Sequence, residues 1–187
     1  MILVDKDIKI KAVNGELIAE GYDESNVSNT SYDLSVDTIY IKTDTRSSTG
    51  VSEAELEPGE TVFVKTVELL RIPNNILGVI GEKNSRMRQG LVVAGPRYQP
   101  GHETYGYLRV QNISDSVITI KHGTKIAQIF FEQLTQEPEC PYSGTFQKEM
   151  EYVGLGNYEK EYSRERKDAA DRKQRQLEER ETGNDAP

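Results

Sequence analysis

Apolar residues recur along this chain mostly at alternate positions, in short runs punctuated by Gly, Pro, Asn and Asp. That spacing predicts β-strands joined by tight turns. The run at 26–42, NVSNTSYDLSVDTIYIK, alternates through Tyr32, Leu34, Val36, Ile39 and Ile41, with a turn signal at Asp37-Thr38. From 56 to 80, LEPGETVFVKTVELLRIPNNILGVI sets β-favouring runs between turns at Pro58-Gly59 and Pro73-Asn74-Asn75. Short strands are expected again in LVV at 91–93 and YGYLRV at 105–110. A last pair lies in VITIKHGTKIAQIFFEQL at 117–134, where His122-Gly123 marks a turn. There Ile129, Phe130 and Phe131 are consecutive, so that strand must bury both faces. Residues 43–57, rich in Thr, Ser, Asp and Glu, read as a loop.

Two stretches break the alternation. In MILVDKDIKIKAVNGELI at 1–18, Ile8, Ala12 and Leu17 fall on one side of a short helix closed by Asn14-Gly15. At the other end, EKEYSRERKDAADRKQRQLEERE at 159–181 holds eight acids and eight bases, and Leu177 is nearly its only large aliphatic residue. Asp168 and Asp171 stand four residues before Arg172 and Arg175, a spacing worth about 0.2–0.5 kcal/mol per pair in a helix. Without an apolar stripe this tail is a solvated helix or a disordered segment and not a coiled coil. The expected organisation is one domain over 1–157 and a charged tail over 158–187.

Composition narrows the function. With 187 residues and 35% hydrophobic content the chain can bury a core without covalent staples. No apolar run approaches the roughly 18 residues of a membrane span, and no signal-peptide pattern opens the sequence, so a cytoplasmic protein without a membrane partner is expected. The single Cys140 cannot form an internal disulfide, and His102 and His122 make no zinc-ligand pattern. A net charge of −8 argues against general nucleic-acid binding. Against that background the window 83–112 stands out, because Lys83, Arg86, Arg88, Arg97 and Arg109 face one acid, Glu103, for a local net charge of +4. Gly90, Gly95, Pro96, Pro100, Gly101 and Gly106 place these cations in loops between strands. Turn N–H groups with Arg and Lys side chains suit a phosphate-bearing ligand, and a mixed-sign surface is the alternative.

The order of residues in this window resembles the dCTP deaminase and trimeric dUTPase superfamily. EKNSRMRQGL at 82–91 is similar to the family's "RSSLARLGL" phosphate motif, retaining Ser85, Arg88 and Gly90, with Asn84 in place of the first serine. YQPGHETYGYLRVQN at 98–112 resembles the deaminases' "IDPGF-x-G-x-x-x-LE-x-x-N" hairpin, matching Pro100, Gly101, Leu108 and Asn112. The opening residues resemble "M-x-L-x-D-x-D-I", residues 26–36 "N-x-x-SYDL-x-L", and 123–131 "G-x-x-IAQ-L-x-F". The resemblance runs from residue 1 to about 150. It implies an all-β fold, a distorted β-barrel or jelly roll of the dUTPase type carrying the short N-terminal helix and the charged tail. It also implies a homotrimer with sites between subunits.

Departures from the family pattern decide the expected chemistry. The deaminases' glutamate that activates water aligns with Arg109, and a guanidinium cannot take a proton at neutral pH. The aspartate that serves dUTPases aligns with Gln99, and an amide is a poor base. PYSGTFQKE at 141–149 looks like the "PY-x-GKYQGQ" closure motif, keeping Tyr142 and Gln147 but carrying Thr145 for the lysine and Glu149 for the last glutamine. Lys148 is a possible substitute cation. The resemblance then implies a phosphate side of Lys83, Asn84, Ser85, Arg86, Arg88, Tyr142, Gln147 and Lys148, and a base or sugar side of Arg97, Gln99, His102, Arg109 and Asn112. No metal site is expected in the chain, though Mg2+ could accompany a polyphosphate ligand. The leading expectation is a catalytically reduced nucleotide-binding protein that sequesters or senses a nucleotide-derived molecule, a nucleotide sponge within pyrimidine metabolism. An active dCTP deaminase or dUTP diphosphatase with Glu103 as a displaced base is the second reading. An oligomeric scaffold acting through its tail is the third.

Overall fold

In the computed structural model, residues 1–42, 48–154 and 158–182 are described. They fall into two compact units, Met1–Tyr152 and Val153–Pro187. The first is mainly β. It opens with helix α1 (Asp5–Val13) and strand β1 (Leu17–Glu20), and continues through β2 (Tyr32–Lys42), β3 (Ser48–Val51), β4 (Glu53–Leu56), β5 (Thr61–Arg71) and β6 (Ile76–Glu82). A five-residue helix, α2 (Asn84–Arg88), precedes β7 (Leu91–Ala94) and β8 (Arg97–Tyr98). The long β9 (Glu103–Asn112), β10 (Ile118–Lys121) and β11 (Lys125–Gln133) complete it.

The main sheet runs β7-β9-β5-β2-β11-β6-β8, with β1 added beside β5 and β3 beside β2, while β10 and β4 form a separate ladder. Its curvature follows from connectivity. Strands β7 and β8 lie at opposite ends of that order, yet only Gly95 and Pro96 separate them in sequence. Three Cα steps span at most about 11 Å, whereas seven flat strands would put the outer two roughly 29 Å apart. The sheet therefore curls into a half-barrel whose edges meet at Gly95. A side chain has no room there: a Cβ on Gly95 would lie 2.7 Å from Leu108 Cδ2 and 2.8 Å from Ile80 Cγ1.

Inside the curl lie the alternating apolar positions. Leu34, Val36 and Ile39 of β2, Val64 and Leu70 of β5, Leu108 and Val110 of β9, and Ile129 and Phe131 of β11 are all fully buried. Each such side chain contributes about 1.5–3 kcal/mol through its removal from water. Helix α1 docks on this core through Ile8 and Ala12, with Asp5 and Asp7 at its positive end and Lys11 at its negative end.

Four sequence expectations are corrected. Leu17 is buried as expected but belongs to β1, since the chain leaves the helix at Asn14-Gly15. Asp37-Thr38 is no turn. The pairing of β2 with β5 slips between Val36 and Thr38, so a bulge moves the apolar set from even to odd positions while the strand continues. Within the expected loop 43–57, residues 48–51 and 53–56 form β3 and β4, and the latter buries Ala54 and Leu56; residues 43–47 lie outside the described residues. Phe131 is fully buried but Phe130 only partly, its ring packing over Gly81. In the second unit the tail is helical over α3 (Glu159–Thr182), exposed throughout 162–175, and Arg172 donates to the Asp168 carbonyl at 3.2 Å. No helix among the described residues is long and apolar enough to cross a membrane.

Candidate functional site

The short helix α2 sits where β6 hands over to β7, and its cations are held in different ways. Lys83 donates to Asp33 Oδ2 at 2.6 Å, and Lys125 Nζ lies 3.9 Å from the same oxygen. Asp33 is buried on the face of β2 opposite Leu34 and Val36, and its Oδ1 has no hydrogen-bond partner among the described residues. Arg86 is anchored at both ends of its guanidinium, Nε to the Lys125 carbonyl at 3.0 Å and the adjacent nitrogen to Gln89 Oε1 at 2.9 Å. Arg88 is exposed and bonds only Asn84 Oδ1, at 3.1 Å. Ser85 is exposed beside it. Lys83 and Lys125 thus share the Asp33 carboxylate, while Arg86 and Arg88 add positive charge on the exposed side of α2.

Behind Asp33 lies a second buried acid. Both Glu68 carboxylate oxygens accept from the Ser35 N–H, at 3.2 and 3.0 Å. Burial pushes the Glu68 pKa up to about 7 against the bonds from Ser35, and the neighbouring Asp33 charge adds to the rise.

The second set of expected residues surrounds the β8–β9 hairpin. Tyr98 is fully buried, its hydroxyl accepting from the Tyr107 N–H at 3.1 Å. Gly101 makes the turn at φ +80°, a conformation that disfavours any side chain. Gln99 is exposed and, with Leu77, Pro100, Leu134, Pro138, Cys140 and Tyr142, lines an open groove of about 360 Å³. His102 is buried, with its Nε2–H donating to the Phe146 carbonyl at 2.9 Å and its ring 4.1 Å from that of Tyr142. Burial lowers its pKa, so the neutral ring is favoured. Gln147 spans the turn, accepting from the Glu103 N–H at 3.0 Å and donating to the Gly101 carbonyl at 2.9 Å. Lys148 follows at φ +57°, its N–H bonded to the Glu103 carbonyl.

Glu103, the only acid of the window, is ion-paired to Arg71 at 3.0 Å. Arg109 is exposed on the outer face of β9, opposite Phe63 on one side and Ala94 on the other. Arg97 is exposed as well. Asn112 is fully buried and spends its whole amide on the fold, donating to the Leu56 and Ser116 carbonyls and accepting from Ser114.

These positions do not converge within one chain. Leu91 pairs with Asn112, so α2 lies at the far end of β9, while Tyr142, Gln147 and Lys148 gather at its beginning with Gln99 and His102. The nine steps between Glu103 and Asn112 cover about 30 Å of strand. Sequence reasoning singled out neither Asp33 nor Lys125. Their signal was a carboxylate set between apolar Tyr32 and Leu34, and its pairing with Lys83 and Lys125 is legible only once β2, β11 and α2 are known to meet.

A sequence model of the family described as dCTP deaminase-like matches residues 2–134. The chain is 27% identical over 165 residues to the dUMP-forming dCTP deaminase of Mycobacterium avium, an alignment covering 78% of this chain and 87% of that protein. The same figures hold for the dUMP-forming dCTP deaminase of Mycobacterium tuberculosis H37Rv. Among solved structures, 2'-deoxycytidine 5'-triphosphate deaminase from Agrobacterium tumefaciens superposes with a TM-score of 0.60 at 20% identity, covering 70% of this chain and 47% of that one.

Proposed function

Because the chain belongs to the dCTP deaminase-like family, within the dCTP deaminase/dUTPase superfamily, we propose that it binds a phosphate-bearing pyrimidine nucleotide, or a molecule derived from one, and does not turn it over efficiently. The observation that carries this reading is Arg109, an exposed guanidinium on β9 at the position where the resemblance expects a water-activating glutamate. The one neighbouring acid does not replace it, since Glu103 lies six residues back along the strand and is neutralised by Arg71. A general base must lie within hydrogen-bond reach of the proton it takes. Phosphate oxygens would be met by the Arg88 guanidinium and Ser85 hydroxyl of α2 and by Lys83 at its N-terminal end. Holding a nucleotide without consuming it amounts to sequestration.

The same reading includes a homotrimer. With α2 and the β8–β9 hairpin about 20 Å apart along β6 on one chain, a site using both draws them from different copies, and closed cyclic assembly supplies such a juxtaposition.

Turnover tests the proposal directly. Purified protein is expected to release neither ammonia from dCTP nor pyrophosphate from dUTP above background, while binding at least one of them in calorimetry. Robust turnover that Glu103→Gln abolishes would overturn the inert reading and establish an enzyme with a displaced base.

A further inference from the structure

One group of aromatic side chains lies outside the core. Tyr40 of β2, Phe63 of β5 and Tyr107 of β9 stand on three adjacent strands and leave a slot the width of one ring. Tyr152 fills it, with ring centroids 4.7 Å from Tyr40, 5.6 Å from Phe63 and 5.7 Å from Tyr107. Two cations flank the slot. Arg109 is the cross-strand neighbour of Phe63, and Lys65 that of Tyr107, the Lys65 ammonium lying 4.1 Å from the Tyr105 ring centroid and 3.8 Å from Asp37 Oδ2. Stacked aromatics bordered by an exposed guanidinium suit a planar ring that bears an anion, the ring taking the faces and the anion Arg109.

The segment covering the slot reproduces those features. Glu149-Met150-Glu151-Tyr152 brings two carboxylates and one ring. Burial, then Glu149, Tyr40 and Glu151, holds the Tyr107 phenol above its ordinary range. The segment's attachment includes Lys148 N–H to the Glu103 carbonyl at 2.8 Å and Thr104 Oγ1 to the Glu149 carbonyl at 3.2 Å. Lys148 enters it in the left-handed region that disfavours a side chain. Beneath Tyr152 the Tyr107 hydroxyl is buried without a partner, a cost that a ligand with a matching polar atom would remove.

We infer that residues 148–152 are a built-in plug, an internal mimic of a ring-bearing anion, and that the Tyr40–Phe63–Tyr107 slot is a ring-binding subsite opened when Tyr152 leaves. The inference rests on the nucleotide reading above for the class of ligand, and on the aromatic geometry alone for the slot. A ligand entering here spends part of its binding free energy on displacing the plug, so the apparent affinity of the resting protein is lowered by the fraction of molecules that are open.

The test uses full-length wild type, Tyr152→Ala and Tyr152→Phe, titrated in calorimetry with dCTP, dUTP and phenyl phosphate, the last having a ring and a phosphate but nothing else of a nucleotide. Tyr152→Ala is expected to bind at least one probe five-fold or more tighter than wild type, and Tyr152→Phe to behave as wild type. Hydrogen exchange on wild type supplies a readout that needs no variant: a saturating probe should accelerate exchange of the Lys148 amide. Phenyl phosphate binding to Tyr152→Ala, with neither nucleotide binding any variant, would keep the plug and remove the nucleotide reading. Nucleotide binding, with every probe bound equally well by wild type and Tyr152→Ala, would keep the nucleotide reading and overturn the plug. Failure of every probe to bind Tyr152→Ala also overturns it. Should Tyr152→Ala not fold, an unchanged Lys148 exchange rate in probe-saturated wild type overturns it too.

Discussion

Arg88 separates binding from bracing more cleanly than any other side chain here. Its only hydrogen bond among the described residues is to Asn84, and the acids that could have claimed it are engaged elsewhere, Glu82 with the Val93 N–H and Glu103 with Arg71. Arg88→Ala should therefore leave stability within about 0.5 kcal/mol, as for a surface change, while weakening a phosphate-bearing ligand by about 1.5–3 kcal/mol. Arg88→Lys should recover part of the loss, since an ammonium lacks the planar fork. Calorimetry beside a melting curve checks both halves, and a variant that melts early but binds normally would make Arg88 a brace. Glu68 supplies the pH dependence. Its pKa is raised from 4.5 to about 7, so the folded protein keeps a proton that the unfolded chain has released. That stability is fully present below about pH 4.5 and is lost as pH rises through about 7, on the order of 3 kcal/mol in total. Melting temperatures from pH 5 to 8 should fall more steeply for wild type than for Glu68→Gln; parallel curves would show that the carboxyl is not held protonated.

At the scale of elements, the long strands were legible in the sequence and the short β1, β3 and β4 were not. The core positions of β2, β5, β9 and β11 follow the alternation read from the sequence. What alternation cannot convey is why a pattern changes parity. At Asp37-Thr38 a turn and a bulge both shift the apolar set by one, and only pairing with β5 decides between them. Strands β3 and β4 escaped because mostly exposed ladders carry polar residues, leaving Ala54 and Leu56 as their sole buried signal. The candidate site divided in the same way. Charge and spacing marked α2 and the hairpin, but the Asp33 partnership and the Tyr152 slot depend on contacts between distant strands. The edge contact at Gly95 gives the element-scale prediction. Gly95→Ala forces a Cβ against Leu108 and Ile80, and overpacking of this kind costs about 1–3 kcal/mol. Chemical denaturation should show a lower midpoint with an unchanged slope, and an unaltered midpoint would mean that the edges part freely.

For the whole molecule, Met1–Tyr152 and Val153–Pro187 are separate units, and the described part of the second is a helix whose side chains over 162–175 are all exposed. A helix without an apolar seam gives little to an assembly. The full-length protein is expected to be a trimer in light scattering, and a chain lacking residues 159–187 to remain one; a monomer, or an oligomer that depends on the tail, would contradict the proposed assembly. The two-residue link between β7 and β8 reaches further than shape. In an open sheet the outermost strands fray independently, each losing only its own ladder. Here peeling β7 from β9 pulls through Gly95-Pro96 on β8, and β8 in turn on Gly78 and Val79 of β6. Opening at one border thus pulls on the other, and the sheet, though unclosed by hydrogen bonds, is tied across its gap as a hoop is by its clasp.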